Sequence, residues 1–569
     1  MSVREFLRHP RVQRGITVLA TVAIVVTSAE LLQRVLFELS VPYLGDSTFF
    51  MALGRGILNG LTPYRDLFET KPPSIFLLVA LSLWATKGML LARIFQVLAI
   101  LTLGAMIIVP VRIFCKKHSL QSSSFGFLTL LFGLVLSLYT AQSGGMLYAE
   151  SFGAVFLAGY AAVLFTGGQQ WTKKHVCLSA LCILLASGIK EPFVLAAFFV
   201  ALLLTHHPRD LVQHFFIPLL LAGVAGVVLL ALFGYLQPYV GIYLPIMFRS
   251  GAVEPLWIRG LVWDFYWKEL SHYSVFLGCA LLWLIVSILL VRLSAWRNRK
   301  KAVTLALFLV ALLGIMYAFR FVHPDFGIEW LSPALWTPGF LLLCLLVCGF
   351  IFLALPRRNV ESFYAVFSVF AGAYGVVLLS GIKGQFLDHH LVFAVPIYAA
   401  FFFVWFRLFA KSDHFELSST VLLLFLFLTV VFHYRMDYRS IQHDLGERLE
   451  LQTQWAATVD DVLDRCGKER YVQFGPLVHG YTRHSPLGPG FFQEKLNNVI
   501  PLFQSTFQKN LMHTPLIIRS TEEVEITQEQ YDYLVAHFTK TPWPCASSIR
   551  LPQEGMMLLF RKEAQEEKT

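Results

Sequence analysis

Residues 45–73 read GDSTFFMALGRGILNGLTPYRDLFETKPP. Asp46, Arg55, Arg65, Asp66, Glu69 and Lys71 all fall in this short interval, between long apolar runs. Ionised groups are costly in hydrocarbon, so the stretch reads as a polar loop just outside a membrane, gathering a charged site at its surface. The rest of the chain fits that reading. Of 569 residues, 56% are hydrophobic and 14% charged, and the mean hydropathy is +0.62. A soluble protein would carry roughly a quarter charged residues. Repeated apolar runs near bilayer length mark an α-helical polytopic membrane protein. The net charge of +10 then depends on which side holds the Lys and Arg residues, and nucleic acid is not an expected partner.

Arg4, Arg8, Arg11 and Arg14 precede the first run, Ile16 to about Leu36. Thr27-Ser28-Ala29 loosely resembles a signal-peptide cleavage site, but the run continues past it, so a retained first helix is expected. The Arg cluster keeps the N-terminus in the cytoplasm and sends Gly45 outside. Ser74 to Trp84 is apolar but short, and is expected to lie on the outer surface. Later runs begin with Leu90–Cys115, Phe125–Thr140, Ser151–Phe165, Val176–Ile189, Phe193–Thr205 and Phe215–Phe233. They continue with Val275–Leu293, Val303–Phe321, Pro333–Leu355, Phe363–Gly381, Leu391–Leu408 and Leu417–Phe432. With the first helix this makes about thirteen spans.

Charge parity tests the count. An odd number of spans puts Lys116, Lys117, Lys173, Lys174, Arg209, the Arg292–Lys301 cluster, Arg357, Arg358, Arg407 and Lys411 in cytoplasmic loops, as the positive-inside rule requires. Reading Val176–Thr205 as one helix kinked at Pro192 would expose the Arg292–Lys301 cluster, so two spans are expected. The same parity puts Asp46, Asp66, Glu69, Glu150 and Asp388 outside. From Tyr434 the composition turns soluble. A helix at 441–463, strands at Tyr471, Pro515 and Gly555, and a capping box at Thr527–Gln530 before a helix ending near Phe538 suggest a small α/β domain. The division is 1–433 for the transmembrane part, with the outer loop at 38–89, and 434–569 for the extracytoplasmic domain. Cys466 and Cys545 pair there if the compartment is oxidising and stay free thiols if it is not.

Several outer residues could carry chemistry. Asp46 can act as a general base, bind a divalent cation or cap the helix that follows it. Lys71 stands before Pro72-Pro73, which fix the chain; it can neutralise a phosphate, as can Arg55, Arg65, Arg93 and Lys190, or these cations can simply snorkel. Glu150 sits at the mouth of a span. Lys190-Glu191 reads equally as an interfacial Lys–Glu pair. His389 and His390 follow Asp388, but adjacent helical side chains diverge, so a shared metal ion is not expected. No P-loop, GxSxG elbow or HExxH motif is present.

Gly45-Asp46, Gly60-Leu-Thr-Pro-Tyr-Arg-Asp66 and Lys71-Pro-Pro73 form an ordered series. It continues with Ala92-Arg93, Tyr148-Ala-Glu150, Gly188-Ile-Lys-Glu-Pro192 and His389-His390. The series resembles the C-type membrane glycosyltransferases: the dolichyl-phosphate-mannose protein mannosyltransferases and the bacterial polyprenyl-phosphate-sugar transferases, including lipid A aminoarabinose transferases. Phe474-Gly-Pro476 and Thr514-Pro-Leu-Ile-Ile518 resemble the family's outer domain, so the likeness covers essentially the whole chain. It implies a C-type fold and transfer of a sugar from a polyprenyl-phosphate donor to a lipid, glycan or protein acceptor outside a bacterial inner membrane. By position, Asp46 and Glu150 would be the catalytic carboxylates and Lys71 the donor-phosphate ligand. Arg93, Arg65 and Lys190 would be further phosphate ligands, with Tyr64, Asp66 and His390 lining the cavity. The residues name no definite cofactor, and the acidic loop leaves room for a divalent cation. The protein mannosyltransferases often have Asp-Glu where this chain has Asp46-Ser47, which argues against a close relative of that branch. A transporter or flippase of lipid-linked precursors is the rival reading. It would place its site at the midplane between repeats, and no internal repeat is seen.

Overall fold

A computed structural model describes residues 9–40, 43, 46–119, 123–140, 147–168, 171–247, 360–380, 392–410, 419, 422–423, 426, 438–474, 480–488, 508–520, 528–551 and 556–562. The expected spans Val275–Leu293, Val303–Phe321 and Pro333–Leu355 lie outside the described residues, as do Asp388, His389, His390, Gly475 and Pro476.

Apolar runs become helices close to where hydropathy predicts them: α1 Pro10–Ser40, α4 Leu90–Lys117, α5 Ser123–Thr140, α6 Ala149–Gly167, α7 Lys173–Ile189 and α8 Pro192–Leu204. They continue with α9 Val212–Leu232, which opens in a π-helical turn, then α10 Val360–Ser380 and α11 Val395–Phe409. Two shorter helices, α2 Asp46–Leu58 and α3 Ser74–Thr86, flank the polar stretch. By length and composition α1, α4, α6 and α9 are each able to cross a membrane.

Burial sorts these helices. In α6, 78% of the apolar window is buried, against 22% in α1 and 17% in α9. The first is the centre of the bundle, while Val18, Val22, Leu32, Leu220, Val224 and Leu232 leave an apolar periphery exposed, as a lipid-facing wall requires. Gly153 lets α6 and α8 approach, because a Cβ there would meet the Phe193 ring.

Side-chain contacts fix the helix directions. Lys190, just after α7, pairs with Glu150 in the first turn of α6, and its Nζ lies 4.9 Å from the ring centroid of Phe393, just before α11. At the far ends, Arg407 of α11 donates to the carbonyls of Leu164 and Phe165 in α6 and of Leu204 in α8. So α6, α8 and α11 run one way and α7 runs back. The chain reverses at Lys190-Glu191-Pro192, as two spans require; it does not continue as one kinked helix. The α4 helix runs with α6, since Phe114 near its end stacks on Phe165 at 5.2 Å. Lys116, Lys117, Lys173, Lys174 and Arg209 therefore gather at the Arg407 end, opposite Glu150.

After 438, α12 (Tyr438–Arg465) precedes a mixed five-stranded sheet ordered β2-β1-β3-β5-β4. Its strands are β1 Arg470–Phe474, β2 Ser485–Pro486, β3 Leu516–Ser520, β4 Phe538–Thr539 and β5 Met556–Arg561, with α13 (Gln528–His537) before β4. The β1 strand lies parallel to β2 and β3, while β5 is antiparallel to β3 and β4. The two-residue strands β2 and β4 are too short to show a period in the sequence. Trp455, Val459, Val462, Tyr471, Ile518 and Phe560 form the core under α12. Cys466 and Cys545 form a disulfide, the paired alternative of the two left open by the sequence. This α/β unit meets the bundle at the Glu150 end, where Arg55 of α2 hydrogen-bonds the carbonyls of Gly480 and Thr482.

Candidate active site

The stretch that opens the chain's polar face folds as helix, turn and rigid lead-in. Asp46 starts α2, so it stands where a cap or a base would; its side chain lies outside the described residues. The neighbouring Ser47 Oγ accepts a 2.6 Å hydrogen bond from Leu147 N, which pins the first turn of α2 beside the start of α6 and hence near Glu150.

Between α2 and α3 the chain makes a tight turn. Thr62 N donates to Asp66 Oδ2 at 2.8 Å, and Asp66 N donates back to Thr62 O at 2.9 Å. Tyr64 takes φ +68°, a left-handed conformation that costs a non-glycine residue on the order of 1–3 kcal/mol. The surroundings hold it there. Tyr64 is fully buried, its N donates to Leu67 O, and its hydroxyl donates to Lys71 O at 2.8 Å. Its ring packs on Phe68, Phe76, Tyr239 and Tyr243, the last at 4.7 Å. Thus Tyr64 fixes the backbone from which Lys71 projects.

The Lys71 ammonium is 3.2 Å from Glu69 Oε1 and 4.7 Å from the ring centroid of Phe50. Glu69 is buried, and its Oε2 has no hydrogen-bond partner among the described residues. A second pair repeats the arrangement: Lys190 against buried Glu150, over Phe393. Buried ion pairs are costly to desolvate, and polar groups kept in such positions are candidates for function.

A tyrosine cluster runs from the Lys71 backbone to Glu191, the residue after Lys190. Tyr243 donates its hydroxyl to Glu191 Oε1, and Tyr239 stacks on Tyr243 at 4.7 Å. Burial, reinforced by the negative charge of Glu191, pushes Tyr239 and Tyr243 well above the usual phenol pKa. Burial does the same to Tyr64, with Tyr239 next and then Glu191 and Glu69 adding to it. All three therefore stay protonated donors. Glu191, read above as a partner for Lys190, instead receives Tyr243, and Lys190 reaches Glu150. Neither pairing has a local sequence signal, since each joins residues tens of positions apart. Tyr239 and Tyr243 are the site residues that the sequence alone does not single out, while Glu69 and Glu191 figure there only as an outer acid and as a neighbour of Lys190.

Other candidates lie apart. Arg93 donates to Glu38 O at 3.1 Å and covers the Tyr43 ring at 4.3 Å, at the junction of α1 and α4. Arg65 is 59% exposed and spends its guanidinium on Asp66 and Thr62. Burial raises the Asp66 pKa, but hydrogen bonds from Arg65 and the Thr62 amide outweigh it and hold the carboxyl below its usual value. Arg55 is engaged with the α/β unit. Among the described residues no group of three His, Cys, Asp or Glu side chains could hold a metal ion. His390 lies outside them.

Apolar helices enclosing a buried set of lysine–glutamate pairs at one end, with an α/β unit over that end, define a helical membrane protein with an end-on polar site. No family model matches the chain, and no curated protein sequence matches it either. Two solved structures resemble it: ArnT from Cupriavidus metallidurans bound to undecaprenyl phosphate, and the same protein in its apo state. Identities are 13% and 14%, the likeness covers 96% of this chain and 97% and 98% of theirs, and both TM-scores are 0.39.

Proposed function

We propose that the protein is an integral membrane glycosyltransferase that takes a sugar from a polyprenyl-phosphate donor. The observation that carries this reading is the pair of buried Lys–Glu couples, Lys71–Glu69 and Lys190–Glu150, at one end of the bundle. They lie beside the helix that begins with Asp46, in the residue series that resembles the C-type transferases. Each ammonium is neutralised in the resting state and can turn to the phosphodiester anion of the donor when it binds, and to the second charge that builds on the phosphate as it leaves.

In the reaction an acceptor oxygen or nitrogen attacks the anomeric carbon. The new bond forms as the bond from carbon to phosphate oxygen breaks, with inversion, and polyprenyl phosphate leaves. Lys71, with Lys190, stabilises the charge building on that phosphate. Asp46 takes the proton from the acceptor, and Glu150 keeps Lys190 in place and lines the cavity. Residues 1–433 form the transmembrane part and 434–569 the outer domain. The Glu150 end faces away from the cytoplasm, most simply across a bacterial inner membrane. The basic residues at the opposite end support this side, and the Cys466–Cys545 disulfide suits an oxidising compartment.

The test supplies a radiolabelled polyprenyl-phosphate sugar to the purified protein with envelope lipids, glycans and peptides as acceptors. The native protein is expected to transfer label, and Asp46→Asn to lose on the order of 100-fold or more in turnover while still binding donor. Normal transfer by purified Asp46→Asn would overturn the assignment.

A further inference from the structure

Residues 480–485 of the α/β unit form a strap along α2 that reaches from its first turn to its last. At the first turn Gly480 lies directly on the backbone: a Cβ there would stand 2.6 Å from Thr48 Cβ and 2.8 Å from Thr48 Cα. Thr48 is two residues from Asp46. At the other end Arg55 Nη1 donates to Gly480 O at 3.2 Å and also to Thr482 O. Asn59 Nδ2 donates to Ser485 Oγ at 3.2 Å and Arg483 O at 3.4 Å. Asn59 is the residue just past α2, and its N donates to Arg55 O at 2.9 Å, so the two side chains stand one turn apart at the end of the helix. Tyr481 adds a hydrogen bond to Tyr43 O, in the chain leading into α2.

The strap is itself held from behind. Asp460 of α12 accepts from Arg483 N at 2.9 Å and His484 N at 3.4 Å. Asp464 accepts from the Arg483 guanidinium at 2.7 Å, and Tyr471 Oη meets Thr482 Oγ1 at 2.9 Å. The disulfide at Cys466 ties the end of that helix to Cys545. Rigid support runs from the sheet to α2.

We propose that the 480–485 strap is a positioning element: it holds α2 as a rod and so fixes the Asp46 end against Lys71 and Glu150, with Arg55 and Gly480 as positioning residues. A 13-residue helix is marginal in isolation, and a misplacement of about 1 Å at a reacting group can cost on the order of 100-fold. The catalytic consequence rests on the function proposed above; the clamp on α2 does not.

Full-length Arg55→Ala, Gly480→Ala and the milder Asn59→Ala are compared with native protein in lipid nanodiscs. Hydrogen exchange of residues 47–58 is read first, then turnover and donor KM. Faster exchange in that segment is expected, with kcat falling about 10- to 100-fold and donor KM within about twofold of native. Arg55→Lys, which keeps a donor, is expected to recover part of both. Native exchange at 47–58 in every folded variant overturns the proposal, as does faster exchange with unchanged kcat. Should Arg55→Ala fail to fold, Asn59→Ala and Gly480→Ala decide the matter. If native protein transfers no sugar, the proposed reaction fails and exchange alone judges the strap: protection lost supports it, protection kept overturns it.

Discussion

The two ends of the bundle bury charge in opposite ways. At the Glu150 end, lysines are set against glutamates, Lys71 with Glu69 and Lys190 with Glu150. At the other end Arg407 pairs with no carboxylate among the described residues. It donates instead to Leu204 O at 3.1 Å, Leu164 O at 3.3 Å and Phe165 O at 2.8 Å. Those carbonyls belong to the last turns of α6 and α8, where intrahelical donors run out and the helix dipole favours a cation. Arg407 thus fastens helix ends and has little capacity left for a ligand. A lysine–glutamate pair can exchange its partner for an incoming anion, so the same kind of residue is structural at one end and poised for chemistry at the other.

The sharpest way to break this contrast is to remove one member of a buried pair. Lys190→Met removes the cation set against buried Glu150 and is expected to cost about 3–5 kcal/mol of stability, read as a fall in the detergent-solubilised thermal midpoint. Adding Glu150→Leu should restore most of the stability, because an apolar pair of similar volume replaces a desolvated ionic one, while sugar transfer stays lost. If the double variant recovered transfer as well, Lys190 and Glu150 would be packing groups like Arg407. At the opposite end, Arg407→Met should cost about 2–3 kcal/mol through the buried helix-end carbonyls that lose its hydrogen bonds. Its transfer rate per folded molecule should stay near native. A specific loss of donor binding in that variant would erase the distinction between the ends.

How much of this was legible beforehand follows from the range of each interaction. Hydropathy marked α4 and α6 to within two residues, because a bilayer demands long uninterrupted apolar runs, while α1 extends six residues before and four after its apolar run. The reversal at Lys190-Glu191-Pro192 was legible only through the positions of distant basic clusters. Glu150 and Lys190 stood out as ionisable groups at span mouths, and Lys71 as a cation at the start of a surface helix. Their partners did not: Lys190 meets Glu150 forty residues away, Tyr243 meets Glu191, and Arg55 meets a loop more than four hundred residues downstream. Arg93 was a further phosphate candidate beside Lys71, at the opening of a span; in the fold it covers the Tyr43 ring and donates to Glu38 O.

A smaller perturbation probes the tyrosine cluster beside Glu191. Tyr243→Phe keeps the ring stack on Tyr64 and Tyr239 and removes only the hydrogen bond to Glu191. Leaving that carboxylate short of a donor should cost roughly 1–3 kcal/mol. If the cluster helps hold Lys71 in place, donor affinity should fall too. An unchanged donor KM with lowered stability would reduce the tyrosines to packing.

The smallest effect is expected at the exposed pair on the same face. Asp66 is held below its usual pKa of 3.8, so its pairing with Arg65 and the Thr62 amide stabilises the turn above that value. The contribution fades as pH falls through the depressed folded pKa, because the unfolded carboxyl takes up its proton first. Arg65 is 59% exposed, so solvent screening limits the ion pair to about 0.2–1 kcal/mol. Asp66→Asn should therefore lower stability slightly at neutral pH and flatten its decline below about pH 4. The check is the thermal midpoint from pH 3 to 7 at low salt, repeated at about 1 M salt, where the Debye length is near 3 Å and an exposed pair is screened. A large, salt-insensitive loss would put Asp66 with the buried pairs of the site, and Arg65 with it.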